Sequence, residues 1–413
     1  MNNQGVFYIE ENKDIYVSGD IHGDYELLIH IMVDLAKVCS INNNKLSWKP
    51  NNDSIIIFCG DTIHRKRFLD HVLDDENSDI LILETIMRLQ DEAEQYNGKV
   101  IFIAGNHEIM NIIYPEDTTY ISEKNIDSNQ DFFTNQEKVK KLISRTFAWI
   151  KINDTLIAHG GLCSDYLGTI EHFGNILKDK QNVVSNVNNI YRDFFSSKDR
   201  SDKLGHSLFI NYPFDKKYSH NMFWCREWGY GQIDCNKFKS ILETVNCKKM
   251  IISHCPQFLS SDKPKTITFE CINSDNSGGF NLARIDLGMS RCFDYNLPDK
   301  FMFYLATNHL RKISILKLVT KNKELILSPK NIISSKLSTI QYILIKYGIT
   351  EKQHKQKNFS SNWLGFEIVR EYIKRLKKQK KQKLIGGNLN EEHLIINNLL
   401  EPVLKKIKLD SIQ

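Results

Sequence analysis

The sequence predicts an α/β fold, and three observations lead to this prediction. Short apolar runs rich in β-branched residues alternate with longer segments of helical periodicity through the first three quarters of the chain. Each short run ends beside a polar residue, as strands do when they deliver side chains to a site in the loops. The chain has 413 residues, of which 41% are hydrophobic, so it is long enough and apolar enough to bury a substantial core.

Five of the short runs are predicted to be buried strands, at residues 14–18, 54–59, 100–104, 155–158 and 250–253. The polar residues that follow them are Asp20, Asp61, Asn106, His159 and His254. Five ordinary strands can end in polar residues by coincidence, but a potential metal ligand after all five is not expected by chance. The pattern therefore favours a site built at strand ends.

Between the strands, apolar residues at helical spacing predict helices at 25–38 and 80–96. Later in the chain, a strand is predicted at 280–287 and a hairpin at 313–327. We expect the first domain to end after this hairpin and to span residues 1–328.

Residues 329–413 are predicted to be an appended helical, Lys-rich extension, with helices at 336–347, 363–383 and 390–408. The whole chain has 55 basic and 50 acidic side chains, and a net charge of +5 argues against a dedicated nucleic-acid binder. Lysines and an arginine nevertheless crowd residues 374–383. A solvated helix face is one interpretation of this run, and contact with a polyanion, an acidic protein or a membrane surface is the other.

The first residues lack the basic and apolar segments of a secretory signal, and nowhere do roughly 18 apolar residues follow one another. We therefore expect an intracellular protein, cytoplasmic or nuclear, that is not secreted and has no transmembrane segment. The nine cysteines form no CxxC pair, and several lie in apolar segments, so we expect reduced, buried thiols.

The residues at the strand ends form a ligand set for two divalent metal ions. Asp20 and His22 are alternate residues leaving a strand and therefore point the same way, which suits one ion. Asp61 has two carboxylate oxygens and can bridge both ions. The second ion is completed by Asn106, His159 and His254. Oxygen and imidazole ligands without thiolate suit manganese, iron or zinc.

Four motifs occur in the order and approximate spacing of the phosphoprotein phosphatase branch of calcineurin-like metallophosphoesterases: Gly19-Asp20-Ile21-His22-Gly23, Gly60-Asp61, Gly105-Asn106-His107-Glu108 and His159-Gly160-Gly161. The segments Phe223-Trp224-Cys225-Arg226, Ser253-His254-Cys255-Pro256 and Arg284-Ile285-Asp286-Leu287-Gly288-Met289-Ser290 resemble the Shewanella-like protein phosphatases. The resemblance covers roughly residues 14–300. It implies a four-layer α-β-β-α metallophosphatase sandwich.

The resemblance also implies roles. A hydroxide shared by two metal ions would attack the phosphorus in line, and His107 would donate a proton to the leaving oxygen. The phosphoryl group would be bound by Arg65, Arg226, Asn106 and His107. For His107 the alternative is a structural histidine at a helix start, and for Arg226 it is an ordinary surface salt bridge.

Two positions of the second motif depart from the family pattern, which usually reads Gly-Asp-x-x-Asp-Arg-Gly. His64 stands where relatives have a carboxylate that supports the catalytic histidine, and Lys66 replaces a glycine. Because a neutral imidazole supplies no negative charge, we expect weaker acid assistance from His107 and an acid-shifted activity profile. Ser253 also replaces a glycine, and we expect it to narrow the site slightly.

Three functions follow from this reading. The first is a metal-dependent phosphomonoesterase acting on phosphorylated Ser, Thr or Tyr side chains, or on a small phosphoester. The second is hydrolysis of dinucleoside polyphosphates, because relatives with that activity also lack the carboxylate at the position of His64. The third is a weakly active or inactive phosphatase that binds phosphorylated partners, which the change at His64 again suggests.

Overall fold

The computed structural model describes residues 5–9, 13–43, 45–66, 77–164, 176, 178–197, 199–210, 221–257, 267–272, 280–290, 292, 311–321 and 324–334. The predicted C-terminal helices and the basic run at 374–383 lie outside these residues. Their structure and their contact with a polyanion therefore stay predictions.

The described strands form two six-stranded mixed sheets and one two-stranded sheet. One large sheet has the order β14-β13-β2-β5-β6-β7, with β2 Asp14–Ser18, β5 Ile55–Phe58, β6 Lys99–Ile103, β7 Thr146–Phe147, β13 Arg311–Lys321 and β14 Glu324–Ser334. The other has the order β1-β8-β9-β10-β12-β11, with β1 Val6–Phe7, β8 Trp149–Ile152, β9 Thr155–Ala158, β10 Lys249–Ile252, β11 Thr268–Ile272 and β12 Phe280–Arg284. The small sheet pairs β3 Cys39–Asn42 with β4 Lys45–Trp48.

Parallel pairing fixes where the site lies. Strand β5 runs parallel to both β2 and β6, so the carboxyl ends of these three strands meet at one edge of their sheet. In the other sheet β10 pairs in parallel with β9 and with β12. All four residues of β5 are buried, as the central strand of a parallel sheet requires, which explains its uninterrupted Ile-Ile-Ile-Phe sequence.

Helices cover the sheets. They are α1 Tyr25–Ile29, α2 Asp79–Glu94, α3 Asn106–Ile113, α4 Ile126–Thr134, α5 Gln136–Arg145, α6 Val183–Ser196, α7 Lys203–Phe209 and α8 Cys235–Thr244, with a π-helical segment at His30–Leu35 and a 3-10 turn at Glu123–Asn125. Helix α2 packs on β6, and helix α6 packs on β8. Each large sheet thus carries a helix on one face, and the predicted four-layer α/β architecture is confirmed.

One side chain shows how a helix is fixed to its sheet. Asn188 of α6 is fully buried; its Oδ1 accepts from the Ala148 amide at 2.8 Å, and its Nδ2 donates to the Trp149 carbonyl at 2.7 Å. These bonds join the helix side chain to main-chain groups at the start of β8. The amide therefore holds the helix in register with the strand.

Several boundaries differ from the sequence prediction. The helix predicted at 25–38 continues only to Leu35, partly as a π-helix, because Lys37 has a φ of 61° and a left-handed residue ends a helix. Strand β14 continues to Ser334, past residue 328. The segment 114–137, which the sequence leaves undefined, contains the 3-10 turn and helix α4. The domain boundary itself stays a prediction.

The expectation of reduced thiols is wrong for four cysteines. Disulfides join Cys163 to Cys225 and Cys235 to Cys271, pairs that are 62 and 36 residues apart in the sequence. The sequence could not show these pairs, because only folding brings such distant residues together. Five further cysteines are free and buried, as expected. Among the described residues no helix is long and apolar enough to cross a membrane.

Candidate metal centre

The two sheets deliver the predicted ligands to one place. Asp20 and His22 follow β2, Asp61 follows β5 and Asn106 begins α3 directly after β6. His159 follows β9, and His254 follows β10 in the other sheet. All six side chains are at least 95% buried. A hydrogen bond of 2.7 Å from His159 Nδ1 to the Cys59 carbonyl joins the two strand ends across the sheets.

Asp61 lies at the centre of the group. Its Oδ2 is 3.9 Å from His22 Nε2 and 3.8 Å from His107 Nε2, whereas its Oδ1 is 3.4 Å from His159 Nε2. Potential ligand atoms of Asp61, His159 and His254 all lie within 4.8 Å of one another, as do those of Asp61, His22 and His107. The two oxygens of one carboxylate therefore face two separate clusters.

Hydrogen bonds orient two of the imidazoles. His22 Nδ1 is 3.2 Å from the Ile63 carbonyl oxygen, and His159 Nδ1 is 2.7 Å from that of Cys59. A carbonyl can only accept, so Nδ1 carries a proton in both rings, and in the neutral form of each ring Nε2 keeps the lone pair that a metal ion would need. Both Nε2 atoms face Asp61. Metal-binding histidines are oriented in this way.

Distances and charge both fit divalent cations. Ligand atoms about 2.1 Å from one ion lie about 3.0–3.4 Å apart at octahedral or tetrahedral angles. His159 Nε2 is 2.9 Å from Asn106 Oδ1 and 3.4 Å from Asp61 Oδ1. Burial, together with the negative charge of Asp61, raises the pKa of Asp20 to about 7. Two carboxylates that repel each other in a buried site are stabilised by cations between them.

The pKa of Asp61 shifts the other way. Burial alone would raise it, but the neighbouring imidazoles of His159 and His107 lower the pKa of this carboxyl group well below its ordinary value. Asp61 is therefore ionised at neutral pH. An ionised carboxylate with imidazoles on both sides has the charge that a bridging metal ligand needs.

Backbone conformation at the site is unusual. His22, Asp61, His64 and His254 all have φ between 45° and 73°, a left-handed region that residues other than glycine rarely adopt. Each such residue costs on the order of 1 kcal/mol, and only surrounding packing maintains it. Clustering of strained residues in one buried group is typical of a functional site.

The two motif glycines beside Asp61 are needed for space. A Cβ on Gly60 would lie 2.6 Å from the Gly105 Cα, and one on Gly105 would lie 2.3 Å from Asp61 Oδ1. No larger residue can occupy either position while Asp61 and His159 stay where they are.

His107 contacts the residue that departs from the family pattern. Its Nδ1 lies 2.6 Å from Nδ1 of His64, so one ring donates a hydrogen bond to the other. The Tyr120 ring stacks on His64 at 6.0 Å between centroids and meets His107 edge-on at 5.1 Å. No sequence pattern indicated Tyr120, which lies in the segment 114–137, for which the sequence predicts no element.

The two predicted phosphate-binding arginines have different environments. Arg65 is 1% exposed; its Nη1 is 3.1 Å from Asp24 Oδ2 and 3.4 Å from Ser290 Oγ. Arg226 is exposed, and no carboxylate pairs with it among the residues that the structure describes, so the salt-bridge alternative gains no support. Its loop is held by Asn221, whose Oδ1 accepts from the Trp224 amide at 3.2 Å.

The supporting roles of three residues were not predicted from the sequence. Glu108 accepts hydrogen bonds from the amides of Gly105, Asp61 and Thr62. Ser253, expected only to narrow the site, donates its hydroxyl to Asp20 Oδ1. Asp286 is 1% exposed and lies against the Gly19 backbone, next to the predicted ligand Asp20. Glu108 and Asp286 belong to two of the motifs that resemble the family. The motifs could therefore have pointed to these residues, although they indicated no role for either of them.

The family follows from comparison with known proteins. Residues 13–239, more than half of the chain, match the family model described as "Calcineurin-like phosphoesterase". The chain belongs to the calcineurin-like phosphoesterase family. This confirms the resemblance seen in the motifs. As a member of the family, the protein is a phosphoester hydrolase that uses divalent metal ions.

Two curated proteins are similar in sequence. "Shewanella-like protein phosphatase 1" of Plasmodium berghei (strain Anka) is 25% identical over 327 residues, which cover 76% of this chain and 77% of that protein. "Shewanella-like protein phosphatase 2" of Arabidopsis thaliana is 28% identical over 138 residues, 33% of this chain and 31% of that protein. Among solved structures, a cold-active protein-tyrosine phosphatase of a psychrophilic Shewanella has a TM-score of 0.53 at 17% identity and covers 79% of this chain and 82% of that one. That likeness shows the fold of this phosphoesterase.

Proposed function

We propose that this phosphoesterase is a protein phosphatase that removes phosphate from Ser, Thr or Tyr side chains with two divalent ions. The ions would be held by Asp20, His22, Asp61, Asn106, His159 and His254. The observation that carries the proposal is the position of Asp61, whose two oxygens face separate groups of imidazoles. Manganese, iron and zinc all suit this donor set of oxygen and imidazole nitrogen.

When bound, such ions make a water molecule nucleophilic at neutral pH and neutralise phosphoryl charge. The residues supply the rest. Asp61 and its neighbours would hold both ions, and the burial of all six side chains would keep bulk water away from them. Low local dielectric strengthens every charge interaction with the phosphoryl group.

His107 is proposed as the proton donor. Its Nε2 faces the carboxylate of Asp61, while its Nδ1 contacts His64 Nδ1. In the protonated ring, Nδ1–H donates to His64 and Nε2–H is available to the leaving oxygen. After transfer, Nδ1–H still donates to His64, so the hydrogen bond orients the ring in both states.

The arginines are proposed to hold the phosphoryl oxygens. Arg226 presents an exposed guanidinium on a loop that is joined by the Cys163–Cys225 disulfide to the segment after His159. Arg65 has its Nη1 engaged by Asp24, so a phosphate must approach the other edge of its guanidinium. The planar fork of either side chain matches two phosphoryl oxygens.

The proposed substrate class rests on the relatives, two of which are named protein phosphatases and one of which is a protein-tyrosine phosphatase. A second candidate substrate is a dinucleoside polyphosphate. It is favoured because His64 occupies the position at which family members usually have a carboxylate. The decisive assay compares peptides carrying phosphoserine, phosphothreonine or phosphotyrosine with diadenosine tetraphosphate, with defined Mn²⁺ added after chelation.

We expect turnover of at least one phosphopeptide that requires added metal. His107→Asn should lower kcat by about 10²–10⁴-fold, because proton transfer to the leaving group is lost. His206→Asn, which changes an exposed histidine of α7, is the matched control and should keep full activity. Cleavage of the dinucleotide alone would reject the protein substrate, and no turnover of any substrate by the wild type would leave only a phosphate-binding protein.

A further inference from the structure

Tyr120 lies on a loop whose backbone is fixed on both sides of this residue. The Lys66 amide donates to the Tyr120 carbonyl at 3.2 Å, which ties the loop to the chain directly after Arg65. The Ile121 amide donates to the Thr118 carbonyl at 3.1 Å, and the Ile121 side chain is buried. The position of the Tyr120 backbone is therefore set by a hydrogen-bonded turn and by an apolar anchor next to it.

The same loop is attached to the start of helix α2. Asn125 is buried; its Oδ1 accepts from the Asp79 amide at 3.1 Å, and its Nδ2 donates to Ser122 Oγ at 2.6 Å. The first amides of a helix have no partner within the helix, so Asn125 satisfies one of them. The loop that carries Tyr120 is thus held at both ends.

The Tyr120 ring packs against both members of the imidazole pair. It is nearly parallel to the His64 ring, with 23° between the planes and 6.0 Å between the centroids. It meets the His107 ring edge-on, at 82° and 5.1 Å, and the two imidazoles are themselves perpendicular at 4.8 Å. Offset-stacked and edge-to-face arrangements at these distances are the ones that aromatic rings prefer. The three rings therefore restrict one another's rotation.

One hydrogen bond joins the two imidazoles at a single point. The 2.6 Å contact between His64 Nδ1 and His107 Nδ1 does not by itself set the tilt of either ring about that point. Packing of Tyr120 on both rings sets this tilt, and with it the direction in which His107 Nε2 points. Transfer to a reacting atom slows steeply when the catalytic group is misplaced by about 1 Å.

We propose that Tyr120 is a positioning residue that holds the His64–His107 pair in the orientation for proton transfer to the leaving oxygen. Its flat ring carries this role, and its hydroxyl group does not. Tyr120 acts on the reaction through His107. This inference rests on the proposed function, in which His107 is the proton donor.

The test measures kcat on two substrates, with Mn²⁺ added after chelation. One is the phosphopeptide that the wild type hydrolyses fastest, whose alkoxide or phenoxide takes up a proton as it leaves. The other is p-nitrophenyl phosphate, whose nitrophenolate leaves without a proton. Tyr120→Leu and Tyr120→Met remove the ring, and each should lower kcat for the phosphopeptide by about 10- to 100-fold but for p-nitrophenyl phosphate by less than about 3-fold. Tyr120→Phe keeps both ring contacts and should match the wild type.

The ratio of the two kcat values separates this role from a structural one, because it does not depend on how much of a variant is folded. A second comparison introduces Tyr120→Leu into His107→Asn. There it should change kcat by less than about 2-fold, because no proton donor is left to orient. The matched control is Tyr8→Leu, which removes an 81% exposed ring directly after β1 and should keep both kcat values.

Four results would overturn the inference: unchanged kcat in Tyr120→Leu and Tyr120→Met, equal losses on both substrates, a further large loss in the His107→Asn background, or a loss in Tyr120→Phe as large as in Tyr120→Leu. Failure of the proposed function looks different. In that case the wild type turns over neither substrate, or His107→Asn keeps full activity on the phosphopeptide.

Discussion

Glu108 offers the sharpest test of how the site is held together. Its carboxylate is 1% exposed and accepts four hydrogen bonds: from the amides of Gly105 at 2.8 Å, Asp61 at 2.9 Å and Thr62 at 2.7 Å, and from the Thr62 hydroxyl at 2.9 Å. One side chain therefore closes the turn at Asp61 and the start of the helix that carries His107. Burial raises the pKa of this carboxyl group, yet four donors require its ionised form.

The magnitude for Glu108→Gln follows from these contacts. The amide has the same shape, but its NH₂ group cannot accept, so two of the four donors lose their partner. A buried donor left unsatisfied costs about 1–3 kcal/mol, which gives about 2–6 kcal/mol of unfolding free energy in total. Because natural domains are stable by about 5–15 kcal/mol, this is a large fraction.

The assay is urea unfolding in chelator, followed by kinetics with Mn²⁺. The control Glu94→Gln changes an exposed glutamate at the end of α2 and should stay within about 0.5 kcal/mol of wild type. We expect Glu108→Gln to lose both stability and kcat, because Asp61 and His107 move together. A variant as stable and as active as wild type would refute the reasoning that Glu108 positions these residues.

Three further predictions concern other parts of the chain. His64→Asp should raise kcat and shift the alkaline limb of the pH–rate profile to higher pH. The reason is that a carboxylate in place of the His64 ring, whose Nδ1 lies 2.6 Å from His107 Nδ1, would stabilise the protonated form of His107. An unchanged profile would contradict this prediction. Arg226→Ala should lower kcat/KM for phosphopeptides by about 10-fold or more. Arg226→Lys should recover only part of this loss, since one ammonium group cannot replace the planar guanidinium. Equal kinetics of wild type and both variants would show that the exposed arginine does not bind substrate. The pKa of His30 is raised by its hydrogen bond to Glu26, so His30→Gln should lower the free energy of unfolding by up to about 0.5 kcal/mol below pH 6.5. This loss should disappear as pH rises through the raised pKa, because the neutral ring no longer gains from the carboxylate. Urea unfolding of wild type and variant at pH 6 and pH 9 measures the loss, and a loss that grows with pH would have the wrong sign.

The convergence of the proposed metal ligands could be predicted from the sequence because strand ends obey a simple rule. A continuous apolar run such as Ile55–Phe58 predicts a buried strand, and the carboxyl ends of parallel strands meet at one sheet edge. A polar residue after each run is therefore placed near the others without further information. The same rule located residues in both sheets, from Asp20 to His254.

The supporting contacts could not be found in this way. The bonds from Thr62 to Glu108 and from Ser253 to Asp20 span 46 and 233 residues, and the Cys163–Cys225 disulfide spans 62. No local pattern in the sequence indicates which distant side chains will meet. Such pairings arise only when the two sheets pack.

The sequence by itself determined the α/β class, the strand ends and the polar residues that gather there as the proposed ligand set, because periodicity and burial are local properties. Tertiary structure decided which imidazole nitrogen faces Asp61, the contact of His64 with His107, and the position of Asp286 beneath the Asp20 loop. It also decided the left-handed conformations of His22 and Asp61, which local preference opposes. These features depend on packing between sheets, whose free energy exceeds the roughly 1 kcal/mol that each strained residue costs.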